Sequence, residues 1–428
     1  MSIQKRFPDS SASLFVGLCL LALLARLAVI FALKNFSGVT GFENEEIALN
    51  LIAGRGYSWS RWGILEPTAF MYPLYTFFLA AHFWLFGHRW LPVEISQAVI
   101  GALGTPLIVV LGSRLFDRGT GWLAGLIYAL YPVYVYWCAQ GQGLVIETVL
   151  LMAWLIAAIK MAEAKGPAWA WAAGALLGLL ALSKTLYLLL VPALALWLWA
   201  RNTRPPHPHN LSTFQPFNLS TLPPFHLWLR LCIMLVVAGA VIFPWTSRNV
   251  AVFHRLILVT DNTGYNLWLG NNPAATGGLF AADGRAVTES MDPALRATVL
   301  AAPDDPARDA VFREAAWSYL RADPGAFFRR IPGKLRALWY FEPTMPSRFH
   351  LLRVLAYLAL LALALPGMVL ARRRWKDHLI FYLLFLTITA IYLVFFGQAR
   401  FRFVLEFGLI LFAGYAVCQW GQLTARRP

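Results

Sequence analysis

Three acidic residues crowd the stretch GFENEEIALNLIAGRGYSW near the N-terminus. Glu43 or Asn44 can cap a short helix in this stretch, and acids in the first turn of a helix complement its dipole. On a 3.6-residue period Glu43 lines up with Ile47 and Leu51, on the apolar side of that helix. We therefore expect Glu43, more than the two acids that follow, to point into the protein.

A fourth acid, Glu147, interrupts the apolar segment GLVIETVLLMAWLI. A carboxylate near the end of a membrane helix is costly unless it is paired, protonated or bound to a cation. The sequence therefore predicts that Glu147 has a functional role or binds a metal ion.

Basic residues lie at two further turns between apolar segments. Lys184 stands in LALSKTLYLLL, where it could meet a lipid phosphate or simply extend toward water. Arg400 and Arg402 stand in GQARFRFVLEF, with Glu406 about one turn into the following helix. These two arginines need a partner, which is either a phosphate-bearing lipid or, for an ion pair, Glu406.

Asparagine, glycine and aromatic residues are dense in FPWTSRN and LGNNPAATGG. This composition is suited to gripping a sugar by ring stacking and by amide hydrogen bonds. The candidate sugar-binding residues are Arg248, Asn249, Asn271 and Asn272.

The elements that position these groups are membrane helices. Of 428 residues 59% are hydrophobic and only 13% are charged, against roughly 25% in soluble domains. The net charge of +15 comes from Lys and Arg at the ends of apolar runs, which argues against nucleic acid as a partner. The four cysteines indicate neither a disulfide framework nor a zinc motif.

Eleven apolar runs are near the length needed to span or lie in a bilayer: 14–33, 69–86, 93–112, 120–137, 144–162, 167–183, 185–200, 227–245, 350–371, 378–396 and 401–420.

Lys and Arg concentrate in the gaps that should face the cytoplasm. With Lys5 and Arg6 also inside, the pattern is consistent only if one run before Arg114 does not cross. We assign the run at 69–86, which contains Pro73, as a juxtamembrane or partly inserted helix, so ten crossings remain. Both termini are then cytoplasmic. The segments predicted on the outer face are 35–68, 140–147, the turn at 183–184, 246–349 and 397–402.

The chain divides into three parts on this basis. Residues 1–245 form a transmembrane core with the first outer loop at 35–68, residues 246–349 an outer loop region, and residues 350–428 the last membrane helices. A Pro-rich cytoplasmic linker at 202–226 repeats NLST and is interpreted as a spacer.

Taken together, several motifs resemble membrane glycosyltransferases of the GT-C fold. They are the acidic first loop, EPTAFMYPLY, SRLFDRG, Glu147 at a helix mouth, FPWTSRN, LGNNPAATGG and RFRFVLEF. The similarity is to bacterial relatives of protein O-mannosyltransferases and of lipid A aminoarabinose transferases. It implies an all-α polytopic protein of about ten transmembrane helices, with juxtamembrane helices in the first outer loop.

The resemblance also implies an activity. Such enzymes transfer a sugar, with inversion, from a polyprenyl-phosphate carrier to a lipid, glycan or protein acceptor on the outer face of the membrane, in bacteria the cytoplasmic membrane. Glu43 is then the catalytic base, Glu147 orients the acceptor or holds a divalent cation, and Lys184, Arg400 and Arg402 bind the donor phosphate. Many relatives carry an Asp-Glu pair where this chain has Val39-Thr40-Gly41. Two alternatives remain: an O-antigen ligase or polymerase that uses a diphosphate carrier, and a transporter of lipid-linked saccharide.

Overall fold

A computed structural model describes residues 9–34, 41–163, 166–202, 225–340 and 350–425. Strands in these ranges are limited to one short hairpin, in which β1 (Ser58–Trp59) pairs antiparallel with β2 (Glu66–Pro67). The remaining regular structure is helical, as the apolar runs predict, and the all-α fold class is confirmed.

Ten helices precede the outer region, and a 3₁₀ segment, Thr185–Leu189, connects the eighth to the ninth. They are α1 (Asp9–Leu33), α2 (Phe42–Ile52), α3 (Pro73–Phe86), α4 (Trp90–Leu115), α5 (Arg118–Leu130), α6 (Pro132–Trp137), α7 (Leu144–Glu163), α8 (Ala168–Ser183), α9 (Leu190–Asn202) and α10 (Phe225–Phe253). Most of the Pro-rich linker, 203–224, lies outside the described residues.

Eight more helices follow α10. Four lie in the region predicted as the long outer loop: α11 (Thr263–Asn271), α12 (Pro293–Ala301), α13 (Asp305–Ala322) and α14 (Pro324–Trp339). The last four are α15 (His350–Ala371), α16 (Trp375–Val394), α17 (Ala399–Arg402) and α18 (Glu406–Ala425). The outer region is thus folded onto the membrane helices rather than being an open loop.

Six apolar helical stretches in the described part of the chain are long enough to cross a bilayer, and one of them, 350–394, contains both α15 and α16. Three shorter apolar helices, α3, α8 and the stretch Thr185–Arg201, accompany them. The 14 residues of α3 span about 21 Å, less than the roughly 30 Å of a hydrocarbon core. This length fits the expected juxtamembrane position of α3, while the count of ten crossings stays a prediction.

Small residues let the membrane helices approach closely. Gly174 and Gly178 of α8 face α10, and a Cβ atom at Gly174 would lie 2.5 Å from the carbonyl oxygen of Met234. This small-xxx-small spacing is typical of tight packing between membrane helices.

The helix bundle has two chemically different ends, which α7 connects. At its C-terminal end Glu163 pairs with Arg114 at 2.7 Å and lies 3.5 Å from Arg201, both from gaps predicted to be cytoplasmic. At its N-terminal end lies Glu147, 16 residues or about 24 Å away along the helix. Lys184, another residue predicted to be functional, lies beside Glu147 at this second end.

Candidate active site

Helix α2 carries the three acids of the first loop. It begins at Phe42 with Gly41 as the N-cap, so the prediction that Glu43 or Asn44 caps it is wrong. The reason is that the Glu45 side chain reaches back one turn and accepts a hydrogen bond from the Gly41 N–H at 2.8 Å. The helix stops at Ile52, ahead of the left-handed Gly54, whose φ is 75°.

The acids of α2 have different surroundings. Glu45 accepts hydrogen bonds from the ring nitrogens of His88 at 2.6 Å and Trp90 at 3.1 Å. Glu46 accepts one from the Ser60 N–H at 2.9 Å. Glu43 is half-buried and makes no hydrogen bond or ion pair with any residue that the structure describes. It is therefore the acid of the three whose carboxylate is left for chemistry.

Arg61 lies in a cage of aromatic rings, and its charge interacts with that of Glu43. Its guanidinium carbon is 3.9 Å from the centre of the Phe70 ring and 4.1 Å from that of Tyr265, with two tryptophan rings, Trp62 and Trp59, at 5.0 and 5.3 Å. Burial lowers the pKa of Arg61, while the charges of Tyr265, Asp305 and Glu43 oppose that shift. The sequence analysis did not single out Arg61, although the aromatic spacing in SWSRWG is the signal that marks it.

A carboxylate pair holds Tyr265 in this cage. Asp309 accepts hydrogen bonds from the N–H groups of Gly264 at 2.9 Å and Tyr265 at 2.8 Å, which fixes the start of α11 on α13. Burial, followed by the neighbouring Asp309 charge, raises the pKa of Asp261 to about 7. Arg313 lies 2.7 Å from Asp309 and 3.7 Å from Asp261.

The second cluster is centred on Glu147. Its carboxylate accepts hydrogen bonds from Lys184 Nζ at 2.8 Å and from the Tyr187 hydroxyl at 3.0 Å. The carboxyl side chain is 8% exposed and the lysine side chain 15%. Lys184 is the residue that ends α8, so the turn after this helix directs its ammonium to the first turn of α7. The cation that partners Glu147 in this structure is thus Lys184.

Arg400 belongs to the same cluster, since its guanidinium carbon lies 5.4 Å from the centre of the Phe401 ring. The Tyr392 ring stacks on Phe401 with centroids 4.0 Å apart, and Lys184 Nζ is 5.6 Å from the Phe401 ring. The charges of both Glu147 and Arg400 act on the Tyr392 hydroxyl. The structure therefore brings together Glu147, Lys184 and Arg400, which are far apart in the sequence.

Arg402 does not join them. Its Nε donates to Glu406 at 3.0 Å, its terminal nitrogen donates to the carbonyls of Leu338, at 3.0 Å, and Tyr340, and its guanidinium lies 3.7 Å from the Tyr357 ring. Only 4% of its side chain is exposed. The expected contact with a donor phosphate is replaced by the ion-pair alternative, because the i, i+4 spacing on one helical stretch brings Arg402 to Glu406.

The four candidate sugar-binding residues also have structural partners. Arg248 donates to the carbonyls of Thr68 at 2.9 Å and Tyr57 at 3.0 Å, and so ties the first outer loop to α10. The buried Asn249 donates to the carbonyls of Ile257 and Val259, both at 3.1 Å. In this structure the donors of Arg248 and Asn249 bind backbone carbonyls of the protein, and their contact with a sugar stays a prediction.

The two asparagines at the end of α11 also form hydrogen bonds within the protein. Asn271 donates to the Leu267 carbonyl and accepts from the buried Lys334 ammonium at 2.9 Å. Asn272 donates to the Trp268 carbonyl at 2.9 Å and accepts from the Ala274 N–H. A helix end leaves carbonyls without intrahelical donors, and short amide side chains satisfy them. Helix termination is therefore a structural role of these two asparagines, and their contact with a sugar stays a prediction.

One segment of the chain connects the two clusters. Phe70 packs on Arg61 of the first cluster, and Tyr72 lies within the electrostatic field of Glu147 in the second. The Cα atoms of these residues are at most about 7 Å apart, since they are separated by only one residue. The Asn262 side chain donates to the Phe70 carbonyl at 2.8 Å and helps to hold this segment. The segment Phe70–Tyr72 thus belongs to both clusters, through Arg61 at Phe70 and through the charge of Glu147 at Tyr72.

The described residues around Glu147 show no cluster of metal ligands, and the divalent cation stays a prediction. No group of three His, Cys, Asp or Glu side chains with ligand geometry occurs within the described ranges. The Glu147 carboxylate is already bound by an ammonium and a phenol, neither of which is a ligand for a divalent cation in those protonation states.

The comparisons with known proteins agree with this architecture. Residues 67–216 match the family model of the dolichyl-phosphate-mannose-protein mannosyltransferases. No curated protein sequence matches the chain. The oligosaccharyltransferase AglB of Archaeoglobus fulgidus, in complex with an inhibitory peptide and a dolichol-phosphate, superimposes with a TM-score of 0.58 at 13% identity. That match covers 98% of this chain and 52% of AglB, so the chain spans about half the length of this relative.

Two further structures are similar. The same archaeal oligosaccharyltransferase in complex with zinc and sulfate gives a TM-score of 0.55 at 13% identity, covering 96% of this chain and 50% of that one. ArnT from Cupriavidus metallidurans, bound to undecaprenyl phosphate, gives 0.40 at 15% identity over 96% of this chain and 79% of ArnT, a score too low to support a conclusion. The sequence-based resemblance is confirmed at the level of architecture: this polytopic membrane protein has the GT-C fold.

Proposed function

We propose that this protein is a glycosyltransferase of the bacterial cytoplasmic membrane, which moves a sugar from a polyprenyl-phosphate carrier to an acceptor on the outer face. The observation that carries the proposal is that one short segment, Phe70–Tyr72, meets both clusters: Phe70 packs on Arg61, whose charge interacts with that of Glu43, and Tyr72 interacts with the charge of Glu147. This arrangement offers a proton acceptor and a cationic phosphate site at the same end of the bundle.

In the proposed reaction the Glu43 carboxylate takes the proton from an acceptor hydroxyl or amine. The freed electron pair attacks the anomeric carbon of the donor sugar from the face opposite the phosphate. The bond between that carbon and the phosphate oxygen breaks, its electrons stay on the oxygen, and polyprenyl phosphate leaves. Because attack and departure occur on opposite faces, the configuration at the anomeric carbon is inverted.

The basic cluster compensates the charge that grows on the leaving phosphate. Glu147 holds the Lys184 ammonium at 2.8 Å and so positions it beside Phe401 and Arg400. This assigns Glu147 to positioning a protein cation, in place of a metal ion. A phosphate that arrives between Lys184 and Arg400 would meet two donors suited to charge-assisted hydrogen bonds.

Arg61 has a supporting role in this mechanism. Four aromatic rings restrain its guanidinium, and its positive charge acts on the Glu43 carboxylate without forming an ion pair with it. A fixed positive charge of this kind attracts the carboxylate toward one orientation, and such pre-positioning of a base contributes to rate. Arg61 is thus a positioning residue.

The choice of a lipid-phosphate donor is supported by two likenesses. The matched family model is named for dolichyl-phosphate-mannose, and AglB, which shares the fold, has been solved with a dolichol-phosphate. In the rival proposals the carrier is a diphosphate, as for a ligase or polymerase, or the saccharide crosses the membrane while still attached to its lipid. The position of the charged residues at one end of the bundle, rather than at its middle, favours transfer over transport.

The test is the fate of the donor. Purified protein in lipid nanodiscs is incubated with a polyprenyl-phosphate sugar and with the corresponding diphosphate, and the lipid products are separated by mass spectrometry. Release of polyprenyl monophosphate with an inverted glycoside is expected. Turnover with the diphosphate donor alone would favour the ligase, and passage of intact donor across sealed vesicles the transporter. Glycolipids and glycoproteins of a deletion strain would then identify the sugar and the acceptor.

A further inference from the structure

A cavity of about 360 Å³ lies between the first outer loop, α3 and α10. None of the residues of the two clusters lines it. Its walls are mainly aromatic and aliphatic, and two arginines also line it: Leu51, Tyr57, Phe77, Trp245, Val252, Arg55 and Arg248.

The apolar wall continues onto exposed apolar side chains. Phe77 is 45% exposed and Val252 38% exposed, and Val250, on the same helix as Val252, is 42% exposed. Helix α10 is among the helices long and apolar enough to cross a membrane, and Val250 and Val252 lie on it just beyond the run at 227–245 that is predicted to cross. The cavity thus opens beside the predicted outer surface of the bilayer, where a lipid chain can reach it.

Arg55 is held in place at the rim of this cavity. Its Nε donates to the Asn50 side-chain oxygen at 2.9 Å, and the amide of Asn50, a residue only 4% exposed, donates to the Ser58 carbonyl at 3.0 Å. The two glycines that flank Arg55, Gly54 and Gly56, both adopt positive φ angles, 75° and 71°. This turn and the buried amide together aim the guanidinium.

The two terminal amino groups of Arg55 make no hydrogen bond or ion pair with any residue in the described part of the chain. A guanidinium anchored through Nε presents these groups as a planar fork, a geometry that matches a phosphate. A second guanidinium, that of Arg248, lines the same cavity and adds positive charge, although its own donors bind backbone carbonyls.

We propose that this cavity is a binding site for a phosphate-bearing membrane lipid, distinct from the donor site. The phosphate binds the free fork of Arg55, and one hydrocarbon chain lies along Phe77 and Val252. Because Leu51 of the cavity and Glu43 are eight residues apart on α2, or about 12 Å, the site adjoins the proposed base without including it. The inference does not depend on the proposed glycosyl transfer.

Lipid titration followed by native mass spectrometry tests the site. Detergent-purified protein is titrated with phosphatidylglycerol and, separately, with diacylglycerol, which has the same chains but no phosphate. Arg55→Gln should weaken phosphatidylglycerol binding about tenfold or more, the usual scale for a charge-assisted contact, and leave diacylglycerol binding unchanged. Arg55→Lys should recover part of the loss, and Phe77→Ala should weaken both lipids.

The matched control is Arg285→Gln, since Arg285 is also exposed in the outer region but pairs with Asp283 at 2.6 Å. It should alter neither affinity. Unchanged phosphatidylglycerol binding in Arg55→Gln would overturn the proposal, as would an equal loss of diacylglycerol. Displacement of the lipid by millimolar inorganic phosphate alone would show an anion site and equally contradict a lipid site. Because Arg55 is exposed, its substitution is expected to leave the melting temperature within the range of neutral surface changes.

Discussion

Arg400 and Arg402 are separated by a single residue, yet replacing each by glutamine is expected to impair a different property of the protein. Arg402 is buried against Glu406, with side-chain exposures of 4% and 2%. Arg400 lies at the cluster that contains Lys184 and Tyr392. Arg402→Gln should therefore reduce the stability of the protein, while Arg400→Gln should reduce its affinity for the polyprenyl phosphate.

The size of each effect follows from the surroundings. Arg402→Gln leaves the Glu406 carboxylate without its cation in a buried site, and it removes donors from the carbonyls of Leu338 and Tyr340. Breaking a buried pair in this way costs about 3–5 kcal/mol. Arg400→Gln removes a charge-assisted contact to phosphate, worth about 1.5–3 kcal/mol, or an affinity change on the order of 10- to 100-fold.

Both quantities are measured on the same purified variants. Tryptophan fluorescence during heating gives the melting temperature, and a titration with polyprenyl phosphate gives the affinity. The double variant Arg402→Gln/Glu406→Gln is the control, and it should regain part of the lost stability because no charge then remains buried alone. If Arg402→Gln melts like the wild type but loses its affinity for the lipid, the structural assignment of Arg402 is refuted.

Three other outcomes are expected. Glu43→Gln should lower turnover about a hundredfold or more at unchanged donor affinity, whereas Glu46→Gln should leave turnover near wild type; the reverse pattern would move the base to a neighbouring position. The folded-state pKa of Asp261 is raised to about 7, so its stabilising contribution is complete below about pH 4 and is lost as the pH rises through 7. Asp261→Asn should thus flatten the melting temperature between pH 4 and 7, and an unchanged pH profile would contradict this. In a variant without native cysteines, a cysteine at the exposed Asp283 should react with an impermeant thiol reagent added outside intact cells, and one at Thr213 should not; the opposite labelling would reverse the proposed orientation.

Helix positions could be predicted from the sequence because membrane helices satisfy their own backbone hydrogen bonds and need only a long apolar run. The apolar run at 144–162, for example, became α7 (Leu144–Glu163). The run at 120–137 was less simple, since Pro132 divides it into α5 and α6. A proline begins a new helix there because its ring blocks continuation of the preceding one.

Ion pairs between side chains could be predicted only from a helical spacing of the two residues or from the free-energy cost of burying a charge. Arg402 and Glu406 are four residues apart, and their ion pair was one of the two alternatives that the sequence offered. The cost of burying Glu147 indicated that it has a partner, but Lys184 lies 37 residues away and only the packing of α7 against α8 selects it. The backbone partners of Asn249 and Asn271 could not be predicted, because composition does not tell which carbonyls an amide side chain will reach.

The surroundings of Glu43 show why a first-loop acid can be chosen from sequence while its partner cannot. Periodicity along one helix separates Glu43 from its neighbours, and Glu45 and Glu46 are indeed bound to groups of the protein. Arg61 follows 18 residues later, beyond a turn, and its cage takes rings from both the first loop and α11. Such a site forms only when the outer region folds back onto the first loop.

If Arg61 positions the base, Arg61→Gln should lower kcat while leaving donor affinity unchanged, and Arg61→Lys should restore only part of the rate, since an ammonium fills the four-ring cage poorly. A fall in donor affinity with unchanged kcat would instead place Arg61 at the carrier phosphate.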